Sequence, residues 1–186
     1  MIQISEHCSA GCCHCPFKEN KIFFSREQIL QQVSMADEGF VTLTGGEPLE
    51  HPDFLSICEE LDKLGVPFRV ATGGHLPLTE ILDRFAGIQG FLGLNIGSDV
   101  MSSRNSDFNL KQAWWRNIIE LKMRRISWSL TLTLGHDVDF TNLIYELQNI
   151  SATPDFLMMN ESLVGPKNQS IFKFLKEGPW KHLNCL

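Results

Sequence analysis

The chain has 186 residues, with 22 acidic against 16 basic side chains for a net charge of −6, and 43% of it is hydrophobic. That length suits one domain with a sizeable core, and the acidic balance argues against a general nucleic-acid surface. No run of about 18 apolar residues occurs, so no membrane-spanning helix and no membrane partner are expected.

Met1 leads at once into an alternating pattern, Ile2 and Ile4 against Gln3 and Ser5, which predicts a strand with one apolar and one polar face. That start leaves no room for a secretory leader. The thiols are therefore expected in a reducing cytoplasm, where clustered cysteines read as metal ligands rather than disulfides. The cluster follows directly: Cys8, Cys12 and Cys15 at C-x3-C-x2-C spacing, with small Ala10 and Gly11, then Cys13 and His14, inside the run. Soft thiolates on a tight loop suit an iron–sulfur cluster, with three of them holding three irons. Read alone, the loop also leaves open Cys13 as a ligand in a C-x4-C pattern, or a zinc site with His14 or His7 as fourth ligand, which would make a non-catalytic metal-binding module.

Ser25-x-x-Gln28 is a capping box that opens a helix with Ile29, Leu30, Val33 and Ala36 on one face, ending at Gly39. A strand over 40–44 runs into Gly45-Gly46-Glu47-Pro48. The next helix starts near Pro52 and Asp53, with Phe54, Ile57, Cys58, Leu61 and Leu64 on its apolar face, and stops at Gly65. Cys58 on that face reads as a core thiol. A third strand over 67–72 ends in Gly73-Gly74-His75, and a helix covers 78–85. A fourth strand over 90–96 puts Leu92, Leu94 and Ile96 on one face and Gly93, Asn95 and Gly97 on the other. A long polar loop over 98–109 suggests function. It precedes a helix over 110–125 that buries Ala113, Trp114, Ile118 and Leu121. The basic run Lys122 to Arg125 reads as the solvated end of that helix. The fifth strand, 126–134, alternates most cleanly, Asp139 caps a helix, and a sixth strand spans 155–159. Tyr145 on the fifth helix is expected to face outward.

Strand and helix alternate five times before a sixth strand closes the series. Such an order implies parallel strands with right-handed crossovers. A full eight-stranded barrel needs about 250 residues, so the expected fold is α/β: an open partial (β/α)6 barrel over 1–160, with 161–186 packing on or closing it. The strand face opposite the helices carries Gln3, Ser5, Thr42, Thr44, Arg69, Gly93, Asn95, Ser127, Ser129, Thr131 and Thr133. Residues so small and polar predict a lumen holding polar ligands and water. The cysteine loop and the Gly-Gly-Glu-Pro run both fall at carboxyl ends of strands, the rim where barrels place their chemistry.

Cys8, Cys12 and Cys15 after a first strand, with Gly45-Gly46-Glu47-Pro48 at the end of the second, resemble the radical S-adenosylmethionine (SAM) enzymes. The continuation Gly-Gly-Glu-Pro-Leu-x-His-Pro-Asp-Phe is most similar to the branch that modifies peptides. The resemblance implies an enzyme with a [4Fe–4S] cluster on Cys8, Cys12 and Cys15, whose open iron binds the SAM amino and carboxylate groups. Reduction splits SAM to methionine and a 5′-deoxyadenosyl radical, which takes a hydrogen atom from a substrate. It further implies that Gly45, Gly46, Glu47 and Pro48 meet the methionine ammonium, and that Asn95 or Ser98 contacts the ribose or the methionine carboxylate. Arg104 would pair with that carboxylate, Thr131 and Thr133 line the ribose, and His14 and the backbone around Met159 neighbour the adenine. Implied partners are an electron donor such as flavodoxin or ferredoxin, and a peptide or small natural-product precursor, held with or without a separate recognition protein. A glycyl-radical-enzyme activating protein is the alternative within the family. Cys185 has three readings: an inert thiol, a hydrogen donor to a substrate radical, or a ligand of a second cluster. His51, His75 and His136 stand near strand ends or helix starts, and no role is assigned to them.

Overall fold

The computed structural model describes residues 1–161 apart from 13, 14, 16, 18, 19, 38, 103 and 135–137. Expectations placed on Cys13, His14, His136, Cys185 and the segment 162–186 lie outside the described residues.

Six strands form one sheet: β1 (Ile2–Ser5), β2 (Val41–Gly45), β3 (Phe68–Thr72), β4 (Phe91–Gly97), β5 (Trp128–Leu134) and β6 (Phe156–Glu161). They lie side by side in chain order, and every neighbouring pair is parallel. Helices α1 (Arg26–Ser34), α2 (Phe54–Lys63), α3 (Thr79–Phe85), α4 (Phe108–Arg124) and α5 (Phe140–Asn149) fill the connections. This is the expected α/β architecture of an open six-stranded sheet, and β1 and β6 are its edges. The outer edge of β1 is covered: Glu6 N–H donates to Ile22 O (2.8 Å) and Phe24 N–H to Ile4 O (3.0 Å). A covered edge cannot recruit another chain by strand pairing.

The apolar row of each strand packs under the helices. Ile4, Leu43, Val70, Leu94, Ile96 and Leu130 are fully buried, as are Ile29, Leu61, Trp114 and Leu147 on the helices. Ser25 caps α1 as its sequence predicts: its hydroxyl accepts from Gln28 N–H, and the Gln28 side chain accepts from Ser25 N–H (2.8 Å). Tyr145 is exposed on α5, as expected. Among the described residues no helix is long and apolar enough to cross a membrane.

Four local expectations change. α1 stops at Ser34 rather than reaching Gly39. α4 begins at Phe108 because Asp107 accepts from Asn109 N–H (2.8 Å), a cap that the apolar pattern alone did not reveal. Leu64 lies beyond the last turn of α2 and is exposed. Leu92 is also exposed, because β4 bulges at its start: Phe68 pairs with Phe91 but Arg69 with Gly93, so Leu92 is the extra residue. Gly93 takes φ +128° there, and a Cβ on it would stand 2.3 Å from Ser127 O. Phe91 takes the core position instead, its ring 4.3 Å from that of Phe85.

Candidate active site at the carboxyl rim

The cysteine loop leaves the end of β1, and the turn after β2 straps it down. Gly46 N–H donates to Ser5 O (3.0 Å) and Glu47 N–H to His7 O (2.6 Å). The two chains lie so close that a Cβ on Gly45 would fall 2.3 Å from Ser5 O, and one on Gly46 2.1 Å from His7 O. The glycines are thus demanded by the protein's own backbone, on the residues that immediately precede Cys8. Sequence reasoning explained them by the close approach of a ligand; the approach that the fold requires is internal.

Glu47 is fully buried. Its carboxylate accepts from Thr72 Oγ1 (2.9 Å), Gly73 N–H (2.9 Å) and Leu49 N–H (3.2 Å), so it ties the rim of β2 to that of β3. Burial pushes its pKa up to about 7, against the pull of those three donors. The side chain expected at a ligand ammonium is therefore satisfied inside the protein, and within the turn Glu50 N–H donates to Glu47 O (3.1 Å) and His51 N–H to Pro48 O (3.0 Å). Glu50, given no role by the sequence, reaches back to the loop: its two oxygens accept from Ser9 N–H (3.0 and 3.2 Å), and His7 Nε2 lies 3.4 Å away. His51 is structural. Its Nε2 meets Phe24 O (2.9 Å), and its Nδ1 accepts from Asp53 N–H (3.0 Å).

Cys8, Cys12 and Cys15 are all partly buried on this loop, and Cys15 N–H donates to Cys12 O (3.0 Å), closing a turn between the second and third thiols. Burial, with smaller contributions from Glu47, Glu50 and Cys15, pushes the Cys8 pKa up to about 12. A bare Cys8 is thus a thiol, and only a bound cation makes its thiolate favourable. Among the described residues no three His, Cys, Asp or Glu side chains gather closely enough to hold one metal ion. Three thiols on one loop, of which Cys8 and Cys15 lie near enough to interact, have the soft-donor chemistry of a cluster in which each sulfur takes a different iron. Cys58 is buried in the α2 core face and its pKa is raised by burial, as a core thiol requires.

Across from the loop stand the residues after β4. Gly11, Cys12, Asp99, Ser102, Arg104 and Asn105 line one cavity of about 170 Å³. Arg104 and Cys12, named separately from sequence, therefore face the same space. Ser98, at the turn into Asp99–Met101, is fully buried, and its hydroxyl has no hydrogen-bond partner among the described residues. Asn95 differs: its Nδ2 donates to Met158 Sδ (3.3 Å) and its Oδ1 accepts from Thr131 Oγ1 (2.6 Å). Ser129 and Thr131 are buried beneath this network. At this height the polar side chains of the lumen satisfy one another. Met159 pairs with Leu132 through the backbone at the far edge, and Thr133 Oγ1 donates to Asp99 Oδ2 (3.3 Å). Trp114 anchors the end of β4, its Nε1–H donating to Gly97 O (2.8 Å).

His75, which follows β3, is also at the site, and sequence reasoning left it without a role. Its ring is fully buried between Glu47 and Ser9. The available signal was its place after a Gly-Gly pair at a strand's carboxyl end.

The comparisons with known proteins bear on the fold and the family. The model of the Radical SAM superfamily matches residues 2–139. The 7-carboxy-7-deazaguanine synthase of Synechocystis sp. is 34% identical over an 82-residue alignment that takes in 39% of this chain and 39% of that one. Streptococcus suis SuiB bound to S-adenosylmethionine superposes with a TM-score of 0.68 at 13% identity, over 99% of this chain and 45% of that one. SuiB bound to its precursor peptide SuiA gives 0.67 at 12% identity, over 99% and 48%. TYW1 with a lysine-pyruvate adduct gives 0.59 at 13%, over 95% and 70%. At such identities the structural likeness speaks for the fold. The chain spans less than half the length of the synthase and of SuiB.

Proposed function

The chain belongs to the radical SAM superfamily, enzymes that work with a [4Fe–4S] cluster and SAM, and we propose that it abstracts a hydrogen atom from a peptide or a small natural-product precursor. The observation that carries the reading is the shared cavity: Cys12 of the cysteine loop and Arg104 of the loop after β4 line one space at the carboxyl rim. Cys8, Cys12 and Cys15 hold the cluster. When bound and reduced by a flavodoxin- or ferredoxin-like donor, the cluster supplies the electron that splits SAM into methionine and the 5′-deoxyadenosyl radical.

The protein's own residues bind and orient. Arg104 takes the methionine carboxylate by a charge-assisted hydrogen bond. The backbone of Gly45, Gly46, Glu47 and Pro48 offers carbonyls to the ammonium. Ser98, whose hydroxyl is buried without a partner among the described residues, is better disposed than Asn95 to meet a ligand hydroxyl or carboxylate, since both ends of the Asn95 amide are engaged. Thr131, the Met159 backbone and His14 complete the ribose and adenine side. Loss of the Cys8 proton accompanies cluster binding.

Two likenesses support the substrate class. SuiB, whose fold this chain shares, has been seen with a precursor peptide. The sequence-similar synthase is named for a small heterocycle. The test of the site is anaerobic reconstitution with iron and sulfide, with zinc as a competitor. Four irons and four sulfides per chain are expected, lost in Cys8→Ala, Cys12→Ala and Cys15→Ala but kept in Cys58→Ala. A chain that takes zinc in preference, or binds iron equally without these cysteines, contradicts the reading.

A further inference from the structure

Burying an imidazole costs free energy unless its nitrogens are hydrogen-bonded. The His75 ring is fully buried, yet among the described residues its Nδ1 makes no hydrogen bond, and it lies 3.6 Å from Glu47 Oε2. Its Nε2 is 3.4 Å from Ser9 Oγ, a contact spanning 66 residues of chain. Ser9 follows Cys8 directly, and its N–H is held by both oxygens of Glu50. One residue of the cysteine loop is thus gripped by two other loops, through its amide by the turn after β2 and through its hydroxyl by the loop after β3.

The loop that carries His75 is built to hold the ring still. A Cβ on Gly73 would stand 3.0 Å from His75 Nδ1, so the absence of a side chain there makes room for the ring. Gly74 adopts φ +71°, and a Cβ on it would meet Ile96 and Trp114 at 3.0 Å. From the other side, Asn117 of α4 donates to Gly74 O (2.8 Å) and Leu76 O (2.6 Å) and accepts from Leu78 N–H (3.2 Å). These bonds fix the backbone on both sides of His75. A side chain so constrained can restrain what it touches.

We infer that His75 is a positioning residue of the cysteine loop: its buried ring, wedged beside Glu47 and held by Gly73, Gly74 and Asn117, fixes Ser9 and through it the Cys8 arm. The inference rests on the reading of Cys8 as a cluster ligand. Its consequence is an arm already ordered before the cofactor arrives, which lowers the ordering cost of binding.

The experiment uses the full chain and reads each cysteine separately by iodoacetamide labelling and mass spectrometry, before and after reconstitution. Without cofactor, Cys8 is expected to label about fivefold faster in Ser9→Ala and in His75→Asn, the effect of losing one modest hydrogen bond. The double variant is expected to be no faster than either single one. His75→Gln, long enough to reach Ser9, is expected to label like wild type, whereas Asn is too short. Cys58 reports on the fold: were it to label in His75→Asn, the exposed-site variant Ser9→Ala decides alone. In the reconstituted, reduced chain, the electron paramagnetic resonance g-values should shift in His75→Asn and return in His75→Gln. Unchanged Cys8 labelling in Ser9→Ala, or effects that multiply in the double variant, would overturn the inference. A wild-type chain that assembles no cluster sinks the ligand reading instead, while the labelling still reports the His75–Ser9 link.

Discussion

Replacing Gly46 by Ala tests the claim that the Gly-Gly-Glu turn serves the protein's own backbone before it serves a ligand. An alanine Cβ would fall 2.1 Å from His7 O, 2.5 Å from its carbonyl carbon and 2.9 Å from its nitrogen, all backbone atoms that cannot rotate away. Gly46 does not need a left-handed conformation, so the penalty is steric alone. Relief requires the 5–7 segment and the 45–47 turn to separate, which breaks the Gly46-to-Ser5 and Glu47-to-His7 hydrogen bonds. Two net hydrogen bonds at about 1 kcal/mol each, with about 1–3 kcal/mol of overpacking, give a loss of about 3–5 kcal/mol. That is a large share of the roughly 5–15 kcal/mol that stabilises a domain. Urea unfolding of the cofactor-free chain, followed by far-ultraviolet circular dichroism, measures it directly. Gly39→Ala is the control, because nothing lies within 4 Å of its added Cβ, and its effect should stay within about 0.5 kcal/mol. If Gly46→Ala and Gly39→Ala unfold at the same urea concentration, the reasoning about the strap is refuted.

The buried Glu47 predicts a pH signature. Its native pKa of about 7 exceeds its ordinary value of 4.5, so across that window the native chain binds more proton than the unfolded one, and this group lowers stability as pH rises from 4.5 to 7. The full effect is about 3 kcal/mol. Burial holds His75 below its ordinary 6.5, which acts in the opposite sense as pH falls; the slope difference between wild type and Glu47→Gln in cofactor-free urea titrations isolates Glu47. A Glu47→Gln chain with an unaltered slope would contradict the burial argument. At the cavity, Arg104→Met removes a charge-assisted hydrogen bond of about 1.5–3 kcal/mol and is expected to weaken SAM binding to the reconstituted chain roughly tenfold to hundredfold by equilibrium dialysis. Unchanged binding would remove Arg104 from the site.

What the residues made legible depends on range. The six parallel strands follow from local periodicity and from the alternation of strand with helix, both carried by adjacent residues. The Ser25 capping box is four residues long, and its bonds form as read. The spacing of Cys8, Cys12 and Cys15, on one loop after β1, is likewise local. The features missed depend on partners far along the chain. Leu92 leaves the core because β3 and β4 slip by one residue at Gly93, next to the Ser127 carbonyl. Glu47 turns inward because Thr72 and Gly73 wait beneath it, 25 and 26 residues away. The polar lumen face read as one given over to polar ligands and water, because alternation reveals which residues face it but not that Asn95, Thr131 and Met158 bond across three strands. His75 looked ordinary for the same reason, its meaning lying in Ser9 and Glu47.

The most direct measurement of the central claim is formation of 5′-deoxyadenosine by the anaerobically reconstituted chain in the presence of dithionite and SAM. The account predicts that product forms with wild type and disappears in Cys12→Ala, a residue that lines the cavity with Arg104. A chain fully loaded with its cluster that forms no 5′-deoxyadenosine, or one whose yield survives Cys12→Ala, would contradict it.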